Sequence, residues 1–108
     1  MDIKLKDKTL YIQLEGEIDH HNAQGLREKI DQAFEPTDCR QIVFDLAAVS
    51  FMDSSGIGMI IGRYKNANKR GGSVSVVGMN AEVSKIFQIS GLAKIIDSYA
   101  TLEEMESR

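Results

Sequence analysis

The hydrophobic positions along this chain change period several times, and each change marks an element. Ile3 and Leu5, then Leu10, Ile12 and Leu14, alternate with polar neighbours, which predicts two half-buried strands with Asp7-Lys8 as the turn between them. After Gly16-Glu17-Ile18-Asp19 the period lengthens. Ala23, Leu26, Ile30 and Ala33 with Phe34 recur at helical spacing; this predicts a helix over about residues 20–34, capped by Asp19 or Asn22, despite Gly25. The single proline, Pro36, punctuates the chain before Gln41–Leu46, an apolar and β-branched run that reads as a central strand. Ala47 to Met52 continues it in extended or turn form.

Ile57, Ile60, Ile61 and Tyr64 stand at i, i+3, i+4 and i+7, the buried stripe of a helix that ends near Arg70 and is stopped by Gly71-Gly72. Ser73–Gly78 reads as another short strand. Val83, Ile86, Phe87 and Ile89 give one more helical stripe, broken by Ser90-Gly91, and residues 92–96 fit either a helical turn or a short last strand. Thr101 to Glu106 reads as a terminal helix with Leu102 and Met105 facing inward. Strands that alternate with helices call for right-handed crossovers, so the fold class is α/β with helices packed on a mostly parallel sheet. No repeat, linker or composition shift divides the chain, and residues 1–108 form one domain.

Composition narrows the function. Apolar residues make up 43% and charged residues 27%, a globular balance rather than a disordered one. With 13 basic and 16 acidic residues the net charge is −3, which leaves no cationic excess for a nucleic-acid backbone. Lys4, Lys6 and Lys8 share one solvated strand face and carry no function. Cys39 is the single cysteine, so neither an internal disulfide nor a zinc site is expected, and a reducing compartment fits. No signal-type stretch opens the chain and no apolar run approaches the ~20 residues of a membrane span. The expected location is the cytoplasm.

The candidate chemistry lies in Phe51-Met52-Asp53-Ser54-Ser55-Gly56-Ile57-Gly58. Two hydroxyls sit where a strand gives way to a helix, and a helix start offers unpaired N–H groups and about half a positive charge to an anion. A nucleophile elbow would need Gly two residues before the serine, where Met52 and Asp53 stand instead, so hydrolase chemistry is not indicated. His20 and His21 are adjacent and point apart, which is poor geometry for a shared metal. Gly56, Gly58 and Gly62 miss the dinucleotide spacing by one residue, and no P-loop lysine follows. Gly58 and Gly62 suit close helix packing better. Asp45 and Asp53 lie at strand ends, as a phospho-accepting aspartate would. However, Glu17 and Asp19 are split by Ile18 and do not make a paired acidic magnesium site. On local sequence alone Ser54 reads either as a plain helix cap or as a functional hydroxyl.

Three blocks carry a resemblance: Leu14-Glu15-Gly16-Glu17-Ile18-Asp19-His20-His21-Asn22-Ala23, the Asp53-Ser54-Ser55-Gly56 stretch in its apolar setting, and Phe87-Gln88-Ile89-Ser90-Gly91-Leu92. Together they resemble the STAS domains, the sulphate-transporter and anti-sigma-factor-antagonist family, in its stand-alone bacterial form. The Gly16–His21 loop and Gly62-Arg63-Tyr64-Lys65 are most similar to the sporulation branch; the general-stress branch is also similar. Asn22 stands where close relatives usually carry Thr.

The resemblance implies a four- to five-stranded STAS sheet and a binding protein, without catalysis or cofactor. It further implies that the unmodified chain binds an anti-sigma factor that is also a serine kinase, so that a sigma factor, sigma F in the sporulation branch, is released. In that scheme the kinase phosphorylates Ser54 with ATP, a PP2C-type phosphatase restores it, and the free protein is a monomer. The implied partner surface is Asp19, His20, His21 and Asn22 beside Asp53, Ser54, Ser55 and Gly56, with Ile57 and Met59 adding contact area. Two other classes are a nucleotide or small-ligand module, in which residues 54–58 hold a phosphate directly, and a structural subunit of a signalling scaffold.

Overall fold

A computed structural model of the protein describes residues 1–107. Strands β1 (Asp2–Lys6) and β2 (Thr9–Ile18) form a hairpin in which Ile3 faces Ile12 and Leu5 faces Leu10. Asp7 and Lys8 both take positive φ, 50° and 65°, as a two-residue turn matched to the strand twist requires. Helix α1 (Ala23–Phe34), β3 (Gln41–Met52), α2 (Ser54–Lys69), β4 (Ser73–Val77) and α3 (Ala81–Ile89) follow. A 3-10 turn (Leu92–Lys94), β5 (Asp97–Tyr99) and the short α4 (Leu102–Glu106) complete the chain.

The sheet order equals the chain order, with β1 antiparallel to β2 and all later pairs parallel. Sequential parallel strands joined by right-handed crossovers put α1, α2 and α3 on one face. The core lies there. Leu10, Ile12 and Leu14 of β2 and Phe44 and Leu46 of β3 meet Ile30 and Phe34 of α1, Ile60 of α2 and Phe87 of α3. The parallel β2–β3 ladder runs from Thr9 opposite Gln41 to Ile18 opposite Met52, with irregularities at Gln13/Glu15 and Gly16/Glu17. That register places the loop after β2 beside the start of α2.

Two arginines tie the helical layer together. Arg63 of α2 is 7% exposed and its Nε lies 2.9 Å from Asp31 Oδ1 of α1, although the N–H is not aligned for a hydrogen bond, so the contact is an ion pair. Burial lowers the Arg63 pKa, Asp31 opposes that shift and Arg27 adds to it. Arg70, just past α2, donates to the carbonyls of Phe34, Glu35, Thr37 and Cys39 and lays its guanidinium 3.9 Å from the centre of the Phe34 ring.

Several expectations need correction. Helix α1 begins at Ala23 rather than near residue 20, because residues 19–22 are held in a turn of their own. Where two readings were open, residues 47–52 take the extended one as part of β3, and 92–94 take the helical turn, with the last strand following at 97–99. Ile89 is 76% exposed and lies outside the α3 stripe. Gly58 and Gly62 do not mediate close packing, since a Cβ at either would meet nothing within 4 Å. Gly56 does: a Cβ there would overlap Met52 Cγ and come within 3.0 Å of Ile18 Cγ2. At Gly72 a Cβ would overlap the Arg40 carbonyl, because the starts of β3 and β4 pass at backbone distance.

Candidate functional site

The site is built where β3 stops. Met52 is buried, and Asp53 leaves the strand in extended conformation while its N–H donates to Ile18 O at 3.1 Å. Its carboxylate then turns back: Oδ1 accepts from Ser55 N–H at 2.8 Å and from Gly56 N–H at 3.4 Å. Asp53 therefore caps α2, satisfying first-turn donors that the helix cannot. Ser54 is not the cap. It is the first helical residue, exposed, with a side chain that makes no hydrogen bond among the described residues. Ser55 is half-buried and Gly56 buried.

The facing loop is organised by two side chains that bond to the backbone. Asp19 Oδ1 accepts from His21 N–H at 2.9 Å and Asn22 N–H at 3.3 Å, while Asn22 Oδ1 accepts from Asp19 N–H at 3.0 Å. Asn22 Nδ2 donates to Glu17 O at 2.7 Å, so although Asn22 sits at the cap position of α1 its side chain does not cap the helix. The turn holds out two imidazoles, 71% and 78% exposed, and against expectation they do not point apart: the ring centres lie 4.0 Å from one another. His20 Nδ1 approaches Asp53 Oδ2 at 4.0 Å and His21 Nδ1 approaches Asp19 Oδ1 at 3.7 Å. The Asp19 carboxyl is held below its ordinary pKa, chiefly by the His21 N–H; desolvation opposes this, and the Asn22 N–H and the two imidazoles add to it.

The loop residues Asp19, His20, His21 and Asn22 thus lie beside Asp53, with His20 as the link. Ile57 and Met59 do not join them. At 6% and 4% exposure both are core residues, turned toward the sheet and α1, so Ile57 offers no contact area and Met59 only the edge it shows in a hollow between α1 and α2. Sequence reasoning missed Asn80, which caps α3 through Val83 N–H at 2.8 Å and donates to Val49 O and Ser50 O, pinning the end of β3. An Asn just before an apolar helical stripe was the available signal. Among the described residues no group of three or more His, Cys, Asp or Glu is placed to hold a metal, and no helix is long and apolar enough to cross a membrane.

With the site in view, comparison with known proteins is specific. The STAS domain family matches residues 1–105. The anti-sigma F factor antagonist of Paenibacillus polymyxa is 42% identical over 91 residues, 84% of this chain and 78% of that one. The anti-sigma-B factor antagonist of Bacillus subtilis is 36% identical over 104 residues, 95% of this chain and 93% of that one. The anti-sigma factor antagonist SpoIIAA in its unphosphorylated form superposes with a TM-score of 0.85 at 33% identity, over 99% of this chain and 93% of that one. The phosphorylated form of the Bacillus protein gives 0.76 at 32%, over 99% and 96%. The fold, the Asp53-Ser54-Ser55-Gly56 junction and these likenesses agree: the chain belongs to the STAS domain family, among its anti-sigma factor antagonists.

Proposed function

We propose that this antagonist works as a phosphorylation-gated binding module. Unmodified, it holds an anti-sigma factor that is also a serine kinase, and the sigma factor is released; the kinase then transfers the γ-phosphoryl group of ATP to Ser54 Oγ, leaving ADP, and binding is lost. A PP2C-type phosphatase hydrolyses the phosphoserine and resets the module. The chain itself is substrate and binder rather than catalyst, a cytoplasmic monomer when free. The sigma factor is sigma F first and the general-stress factor second, following the names of the relatives above.

The observation that carries this reading is Ser54 itself: an exposed, unengaged hydroxyl at the first position of α2, next to the Asp53 cap that His20 of the Asp19–Asn22 loop approaches. A phosphate there adds about −1.5 to −2 charges. The N-terminal end of a helix tolerates that charge, so the fold persists. An interface that has desolvated Ser54 beside Asp53 does not tolerate it, because a buried anion without a partner costs several kcal/mol. The switch acts on affinity and leaves folding alone. A free nucleotide phosphate is less well served, since Ser55 N–H already donates to the Asp53 carboxylate and Gly56 N–H to the Asp53 carbonyl; calorimetric titration with ATP and GTP tests that second reading.

The deciding experiment is intact-mass analysis of the chain mixed with its host's anti-sigma kinase and ATP. One added phosphate that Ser54→Ala abolishes and Ser55→Ala leaves is the expected result. No phosphate on any form refutes the switch.

A further inference from the structure

One turn into α2 a hollow of about 250 Å³ opens against α1; His20, Ser55 and Met59 of its lining belong to the partner surface expected above, and Gln24, Arg27 and Gly58 do not. Gln24 and Arg27 form its α1 wall, Ser55 and Gly58 its α2 wall, and His20 closes the end next to the Asp53 cap. Arg27 is exposed and makes no hydrogen bond or ion pair among the described residues. Its interaction with Arg63 is repulsive, and Glu28 and Asp31 of its own helix line the neighbouring hollow with it. Gly58 is equally unexplained by the fold. It lies mid-helix, where glycine is a poor choice, yet it is exposed and a Cβ would meet nothing within 4 Å.

We propose that this hollow is a second anchor of the partner interface, seating an acidic side chain of the anti-sigma factor, with Arg27 as its counter-charge and the missing Cβ of Gly58 as clearance for the partner's backbone. The inference rests on the antagonist reading above. A guanidinium presents a planar fork that matches a carboxylate, and the rim supplies this cation with an imidazole beside it. Of the acids around it, Asp53 accepts from Ser55 N–H, Glu28 accepts from Gln24 Nε2 and Asp31 is paired with Arg63. The arrangement also gives the switch a second action. Ser55 of the hollow's wall adjoins Ser54, so a phosphate on Ser54 repels the incoming carboxylate as well as straining the contact at the serine itself.

The test is calorimetric titration of the host's anti-sigma factor against the full chain, with thermal melts of each variant. Arg27→Glu is expected to weaken binding at least about tenfold and to flatten its salt dependence, while Arg27→Lys, which keeps the charge and loses the fork, weakens it less than Arg27→Glu and keeps the salt dependence. Gly58→Leu is expected to weaken binding by about tenfold or more while its melting temperature holds or rises. Gly25→Ala, in α1 but outside the hollow, serves as control: a higher melting temperature with unchanged affinity. If wild type binds and either Arg27→Glu or Gly58→Leu binds within about twofold of it, the proposal is wrong. If ATP alone binds and Arg27→Glu abolishes that binding, the hollow is a nucleotide seat and the proposal is likewise overturned. If wild type does not bind the anti-sigma factor, the antagonist reading itself fails.

Discussion

Replacing Asp53 with Ala removes the carboxylate that starts α2, and the cost can be worked from the geometry. Of its two bonds, the one to Ser55 N–H at 2.8 Å is full strength and the one to Gly56 N–H at 3.4 Å is beyond ordinary hydrogen-bond length. A single N-cap bond is worth about 1 kcal/mol, and a carboxylate at a helix start adds about 0.3–1 kcal/mol through the helix dipole. The expected loss is therefore about 1.5 kcal/mol. A chain of 108 residues unfolds with an entropy of about 2.1 cal/mol/K per residue, so the melting temperature should drop by about 6–7 °C. Asp53→Asn keeps the acceptor and loses only the charge, and should drop by about 2–4 °C. Far-UV circular dichroism melts of the two variants at neutral pH, with Ser54 unmodified, give both numbers. An Ala variant that melts within about 1 °C of wild type would refute the capping argument; an Asn variant that falls as far as the Ala variant would show that charge, not the cap bond, sets the stability of this junction.

Gly72→Ala places a methyl group on the Arg40 backbone carbonyl, which cannot rotate away, so a loss above about 3 kcal/mol is expected; a soluble variant with the wild-type melting temperature would contradict the geometry. Asp31→Ala leaves the Arg63 guanidinium buried without its partner and should cost about 3 kcal/mol in guanidinium chloride unfolding, while Asp31→Leu combined with Arg63→Met should return most of it. Acid sensitivity follows from Asp19, whose native pKa is depressed below 3.8. A depressed carboxyl stabilises the fold fully above its ordinary pKa and loses that contribution as pH falls through the native value. Asp19→Asn should accordingly melt with a shallower dependence on pH below about 4, and an unchanged slope would remove Asp19 from the account.

The path from residues to fold was legible where periodicity speaks directly. Leu10, Ile12 and Leu14 point into the core and Ile57, Ile60, Ile61 and Tyr64 mark the inner face of α2, because burial on one face leaves a period in the sequence. Ile89 shows the limit of that rule. It keeps the helical spacing, but periodicity states which positions are apolar and not whether anything covers them. Ile57 and Met59 mislead for the converse reason: adjacency to Ser54 in the chain says nothing of the 100° turn per residue that sends them inward. Ser54 and Asp53 are both good caps by type, and only the extended backbone of Asp53 assigns the role. Arg63, Arg70 and the hollow beside Arg27 are set by the approach of two helices more than thirty residues apart in sequence, a relation carried by no local pattern. Gly58 and Gly62 were visible as glycines, but their open surroundings were not.

Arg70 has a consequence for the order in which the chain becomes a protein. Helix α1 finishes without a basic residue in its last turn and without a glycine to reverse its direction; Thr37 serves the Phe34 carbonyl locally, and the carbonyls of Glu35, Thr37 and Cys39 take donors from elsewhere. Those donors arrive 31 to 35 residues later, on one guanidinium at the far end of α2. During synthesis or refolding these bonds form only once β3 and the whole of α2 are in place, which ties the end of α1 to the docking of α2. A nascent chain halted before Arg70 exposes the apolar side of α1 and leaves the loop carbonyls of Glu35, Thr37 and Cys39 without their guanidinium.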